Sequence, residues 1–155
     1  MTTVIAESRI AHVARRVFSL PAREFGELLL AQAYLLVALG KVRWRPKGTL
    51  LRPVDGLADA DHGAVESRLA PLVVAVDRAG RYGLFRPTCL VRAIALEQMI
   101  VKAGAGPAVV RVGVLTGPDR FLAHAWIERE GRVIGDEPAR VAMFTPLHDF
   151  SALAQ

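Results

Sequence analysis

Cysteine is almost missing from this chain. Cys89 is the single one in 155 residues, so no internal disulfide can form, and any thiol chemistry has only one place to occur. Metal-binding patterns are missing as well: the four histidines, His12, His62, His124 and His148, are dispersed, with no H-x-x-x-H or C-x-x-C spacing, which argues against a zinc site. No glycine-rich loop precedes a Lys-Ser or Lys-Thr pair to hold nucleotide phosphates. The expectation is no metal and no cofactor. The basic residues, in "ARR", "KVRWRPK" and "DRAGRYGLFR", are scattered without a stripe of five or a zinc-finger motif, so no nucleic-acid partner is expected.

Two further absences concern membranes. The first twenty residues lack a cationic start followed by an unbroken apolar stretch and a small-residue cleavage site, which predicts a cytoplasmic, reduced protein. No uninterrupted span of about 20 apolar residues occurs either. The longest run, "LLLAQAYLLVALG" at 28–40, is broken by Gln32 and ends at Gly40 before Lys41, Arg43 and Arg45. It predicts a buried helix closed by a glycine cap, with contact at a membrane surface as the alternative.

What remains is ample for a core: 52% of residues are hydrophobic and the mean hydropathy is +0.31, enough for one domain. A net charge of +5 and a pI near 10.1 favour acidic partners. From residue 8 to about 78 the signals are helical: "SRIAHVARRVF" to Leu20, a new start at Pro21, a loop "RPKGTLLRPVDG", and a shorter helix interrupted by Pro71. After Gly80 come a helix over about 88–103, a strand in "AVVRVGVLTG", a strand in "FLAHAWIERE", a strand in "GRVIGDEP", and a terminal strand or turn in "MFTPL". This reads as an α+β fold, with a helical region at 1–80 and a mixed core at 81–155 packed as one unit.

Cys89 sits where Pro87 fixes the backbone and Thr88 can cap, so it falls in the first turn of a helix, where unpaired N–H groups and the helix dipole stabilise negative charge. A lone cysteine at a helix start is more often a small apolar filler, and that reading leads until a base is found. The choice turns on whether a base reaches it. His124 lies in an alternating strand, sharing one face with Trp126 and Glu128 while Ala123, Ala125 and Ile127 share the other. A three-residue hairpin loop, Arg129-Glu130-Gly131 with Gly131 left-handed, would place Glu128 opposite Arg132 and Asp136 opposite His124. A two-residue Glu130-Gly131 turn would instead oppose Glu137 to the histidine and send Asp136 to the other face. The first register is the preferred one, with Glu137 as the reserve carboxylate.

Cysteine on a helix start, histidine on a strand and aspartate on the next strand have the logic of a thiol acyl-transfer site. His124 would take the thiol proton and Asp136 would fix the ring. The Cys89 backbone N–H is one oxyanion donor; Gln98, about 13 Å along the helix by its rise, cannot be the second. Trp126 either walls the substrate cleft or shields the His–Asp pair. Arg86 and Tyr82, just before the nucleophile, are candidates to touch substrate.

The segments "TCLVRAIALEQMIVKAGAGPAVVRVGV" and "FLAHAWIEREGRVIGD" resemble the transglutaminase-like cysteine peptidase domain of lasso peptide biosynthesis B2 proteins. The likeness covers residues 82–147, and the leucine-rich stretch near "ELLLAQAYLLVAL" is similar to the N-terminal region of stand-alone B2 proteins. The resemblance implies a transglutaminase-like, papain-like core with Cys89 as nucleophile, His124 as general base and Asp136 as orienting acid. It also implies ATP-independent cleavage of leader from core in a ribosomal precursor peptide, a separate leader-recognition protein of the B1 type, and a downstream lasso cyclase. Two other readings stay open: a non-catalytic scaffold, membrane-associated through its apolar helix, and an acyltransferase using the same three residues.

Overall fold

The computed structural model describes residues 21–44, 62–117 and 120–147. The helix expected over 8–20 and the loop expected over 45–56 lie outside the described residues, as do His12 and His148. The arrangement is α+β: one helix lies on an antiparallel sheet, and two more pack on that helix and on each other.

Helix α1 spans Ala22–Trp44. Leu28, Ala31, Leu35, Ala38 and Val42 recur at alternating spacings of three and four and turn one stripe into the core. The alanines keep that stripe low, so neighbouring helices can approach closely. Two expectations for this segment are corrected. Gly40 does not cap the helix, which continues through it for another turn; the Trp44 ring lies over Gly40, 3.3 Å from where a Cβ would stand. Nor is the helix buried all round. Leu29, Leu30, Leu36 and Val37 are each about half exposed on the opposite side, so α1 carries two apolar faces and the core uses one. From Glu24 to Trp44 it is long and apolar enough, by length and composition alone, to cross a membrane.

Helix α2, His62–Tyr82, runs unbroken through Pro71, where an interruption was expected. Proline removes one N–H from the helical ladder, but Leu69 before it and Leu72, Val73 and Val76 after it all belong to one core cluster. Packing on both sides of the proline holds the two halves in line. Helix α3, Cys89–Lys102, starts as its sequence predicts: Thr88 has extended backbone angles and its Oγ1 accepts from the Val91 N–H at 3.4 Å. It ends in a Schellman arrangement, with the Ala105 and Gly104 N–H groups donating to the carbonyls of Ile100 and Val101, and Gly104 at φ 64°. Its buried face, Val91, Ala93, Ile94, Ala95, Leu96, Met99 and Ile100, lies at the centre of the core.

The sheet comprises β1 (Val109–Gly117), β2 (Arg120–Arg129), β3 (Arg132–Ile134) and β4 (Thr145–Pro146), in the order β3-β2-β1-β4, all antiparallel. A one-turn helix, α4 (Pro138–Val141), precedes β4. Alternation gives the sheet two uses. Ala125 and Ile127, with Val110, Val112 and Ile134, pack on the helices, whereas Trp126 packs on the other face with Val141 and Phe144. Gly113 makes that second layer possible, since a Cβ there would lie 2.7 Å from the Trp126 ring and 2.9 Å from the Thr145 carbonyl oxygen.

The β2–β3 hairpin overturns the preferred register. Arg129 pairs with Arg132, Glu128 with Val133 and Ile127 with Ile134, so the loop has two residues, Glu130 and Gly131, at φ 51° and 74°. Two successive left-handed residues match the twist of the flanking strands, which favours this turn over a longer loop. Left-handed backbone costs a non-glycine residue about 1–2 kcal/mol. Glu130 is held there by its carboxylate, whose Oε1 lies 2.7 Å from Nη2 of Arg129, a cation only 6% exposed. Depriving a buried charge of its partner costs about 3–5 kcal/mol, and less where the partner is partly solvated as Glu130 is. Glu130→Asn, a better turn residue, should therefore lower rather than raise stability, by about 1 kcal/mol or more; a urea midpoint above that of the native protein would contradict this.

Candidate active site

Asp136 reaches His124 in spite of the register. Were β3 to continue straight, the pairing would set Asp136 opposite Ala125 and aim it at the helices, with Glu137 opposite His124. The strand instead stops at Ile134, and Gly135 adopts a left-handed φ of 73°. That one residue redirects the chain, and His124 Nε2 lies 2.5 Å from Asp136 Oδ2. The other carboxylate oxygen accepts from the Glu137 backbone N–H at 2.8 Å, so both oxygens are held. Glu137 itself is exposed and precedes α4 as its N-cap residue; the reserve carboxylate supplies an amide and not an acid to the site.

The histidine is fixed on all sides. It is 8% exposed, with the Phe144 ring centroid at 5.2 Å and the Trp126 centroid at 6.2 Å. Trp126 is anchored by its indole N–H, which donates to Glu128 Oε1 at 2.8 Å, while Arg111 Nε donates to Glu128 Oε2 at 3.1 Å. A proton on Nε2 completes the bond to Asp136 and leaves Nδ1 as the ring's acceptor.

On the helix side, Cys89 is half-buried. The loop leading to it from α2 is pinned from α1: Gln32 Oε1 accepts from the Leu84 N–H at 3.2 Å, and a Cβ on Gly83 would fall 1.9 Å from that same oxygen. Gln32, which breaks the apolar run in the sequence, thus holds the approach to the helix that Cys89 starts. One turn into α3, Arg92 donates to Asp77 of α2 at 3.0 Å. This pair ties the first turn of α3 to α2.

These elements enclose an open cavity of about 370 Å³. Cys89, His124, Asp136 and Trp126 all line it. Trp126, 2% exposed, therefore both walls the cavity and packs beside the histidine. The tentative contacts Tyr82 and Arg86 do not line it; both are exposed, because the pinned loop brings Pro87 to the wall in their place. Gln98 donates to the Ile94 carbonyl of its own helix and takes no part. Sequence reasoning missed Arg92, Arg140 and Phe144. "MFTPL" signals a strand or turn, and nothing in it marks Phe144 as the residue that packs against the histidine ring. Among the described residues, no group of three His, Cys, Asp or Glu side chains is arranged to hold a metal ion.

A family model of the transglutaminase-like superfamily matches residues 28–149, and the chain belongs to that superfamily. Cysteine-dependent catalysis is typical of the superfamily. The match takes in α1 and α2 as well as the sheet. No curated protein and no solved structure matches the chain.

A thiol, an imidazole and a carboxylate on one cavity wall can activate a nucleophile and then protonate a leaving group. The folded protein should take up one equivalent of iodoacetamide at Cys89, and His124→Ala should slow that alkylation about tenfold or more at neutral pH. Intact-mass time courses check both, and equal rates would detach the histidine from the thiol. Gly135→Ala should cost about 1–2 kcal/mol in left-handed backbone and push on Leu96, whose Cδ2 would lie 2.9 Å from the new Cβ. Its alkylation rate should approach that of Asp136→Ala even at temperatures where circular dichroism shows it folded.

Proposed function

We propose that this protein is a cysteine peptidase that removes the leader from a ribosomally made precursor peptide of the lasso type. The observation that supports this most is that Cys89 and the hydrogen-bonded His124–Asp136 pair line the same open cavity. In this reading His124 Nδ1 takes the thiol proton as sulfur attacks the scissile carbonyl carbon. The carbonyl oxygen becomes an oxyanion, met by the Cys89 backbone N–H, which as a first-turn amide has no partner within its helix. Collapse breaks the C–N bond, and the leaving amine departs with the proton held by His124. Water then adds to the thioester, giving one proton to His124, and the C–S bond breaks to free the leader's carboxyl group while the proton returns to sulfur. Asp136 holds the ring in the tautomer both half-reactions need.

The freed core N-terminus would pass to an ATP-dependent lasso cyclase. A separate B1-type recognition protein would deliver the leader. A second reading, a scaffold that acts through its apolar helix at a membrane surface, is favoured by the exposed Leu29, Leu30, Leu36 and Val37 face of α1. An acyltransferase would share the first half-reaction, with an amine in place of water.

Incubating the protein with its candidate precursor and recognition protein, followed by mass spectrometry, separates the three. A peptidase yields leader and core masses that sum to precursor plus one water. An acyltransferase yields an adduct lacking that water. Cys89→Ala should reduce cleavage by about a thousandfold or more with the circular dichroism spectrum unchanged. Undiminished cleavage by this variant would remove the proposal, and undiminished maturation without cleavage would favour the scaffold.

A further inference from the structure

The charges on the cavity wall do not balance. Its cations are Arg92 and Arg140 and its acid is Asp136, beside Cys89 and His124. Arg92 is met by Asp77 Oδ1 at 3.0 Å, although Asp77 also takes Arg81 Nε at 2.9 Å on its other oxygen. Asp136 is turned to His124 and to the Glu137 amide. Arg140 has no acidic partner among the described residues, and Glu137, three positions before it, makes no ion pair with it.

Arg140 is also held in place by its element. Pro138 starts α4, and the next residue after Arg140, Val141, is 6% exposed against Trp126 and Phe144. The turn cannot rotate away without exposing that apolar contact, which keeps Arg140 on the cavity wall. The Debye length at physiological ionic strength is roughly 8 Å, so a charge on the wall of a cavity of about 370 Å³ is felt within it.

We infer that Arg140 forms an anion-recognising subsite beside Cys89, which selects peptides carrying an Asp or Glu side chain close to the scissile bond. A guanidinium offers paired N–H donors that match a carboxylate. The peptide part of this inference rests on the proposed peptidase activity: a bond cleaved inside a precursor leaves a side chain, not the chain terminus, to supply the carboxylate. The subsite itself stands independently of turnover.

The test exploits the single cysteine. Iodoacetate and iodoacetamide both form an S–C bond to Cys89 with loss of iodide, and they differ in carrying or lacking a carboxylate. The ratio of their rates cancels the reactivity of the sulfur and reports the local field. Arg140→Gln should lower the iodoacetate-to-iodoacetamide ratio about twofold or more, the weight of one charge pair across such a cavity in largely water-like surroundings. Arg140→Lys should retain most of the ratio. Arg68→Gln, an equal charge change on the exposed side of α2, should leave it unaltered. Added salt should depress the native ratio and affect that of Arg140→Gln much less. An unchanged ratio in Arg140→Gln, or an equal fall in Arg68→Gln, overturns the subsite whether or not any peptide is cut. On a precursor that is cleaved, Asp→Asn and Glu→Gln changes near the scissile bond should raise KM for the native protein and have little effect on Arg140→Gln. Equal effects on both proteins would overturn the peptide selection.

Discussion

The site depends on the left-handed backbone of Gly135, at φ 73°. With a two-residue hairpin, strict alternation would aim Asp136 at the helical face of the sheet, away from His124. Stopping β3 after three residues and reversing the chain at a glycine turns the same residue back to His124 Nε2. Two consequences follow from that short strand. β3 pairs with β2 only from Ile127 to Arg129, so it stops short of His124 and leaves room for a cavity there. The redirected chain also carries Arg140 to the cavity and Phe144 to the face of the imidazole ring.

Packing, more than hydrogen bonding, sets the remaining positions. Trp126 lies flat against the second face of the sheet because Gly113 offers no Cβ, and its indole N–H is satisfied by Glu128. A buried indole without an acceptor would be a costly neighbour for a functional histidine. On the opposite face the small residues Ala125 and Ala93 both line the cavity between the sheet and α3, which Cys89 also lines. Gln32 extends this positioning to α1 by holding the loop before Cys89. A glutamine inside an otherwise apolar run thereby gains a partner for its side-chain oxygen, while its buried Nε2 has none among the described residues.

Helix α1 shows how one apolar run can serve two environments. Its 28-31-35-38-42 stripe closes the core, while the leucines and valine on the other side remain open to whatever meets the protein there. The charge pattern at the cavity carries a similar division. Arg92 is spent on holding α3 to α2 through Asp77, whereas Arg140 faces the cavity without a counter-charge among the described residues. One arginine is structural and the other is available to a ligand.

By itself the sequence determined the α+β class, the capped start of α3 at Thr88 with Cys89 in its first turn, and the alternating strand that carries His124 and Trp126; it pointed to Asp136 only through a hairpin register that the structure does not have. The former are local matters: capping chemistry, a period of two along a strand, and the scarcity of cysteine leave few alternatives. The geometry behind the aspartate was not legible, because hairpin register depends on whether Glu130 can bear a left-handed backbone, and that rests on the buried charge of Arg129 beside it. The continuation of α1 through Gly40 and of α2 through Pro71 was hidden for the same reason. Local propensities of glycine and proline oppose both, and only the contacts of the surrounding core outweigh them. Tyr82 and Arg86 gave way to Pro87, Arg92 and Arg140 at the cavity because membership of a wall is decided by how three separate elements meet, a relation that no stretch of chain encodes alone.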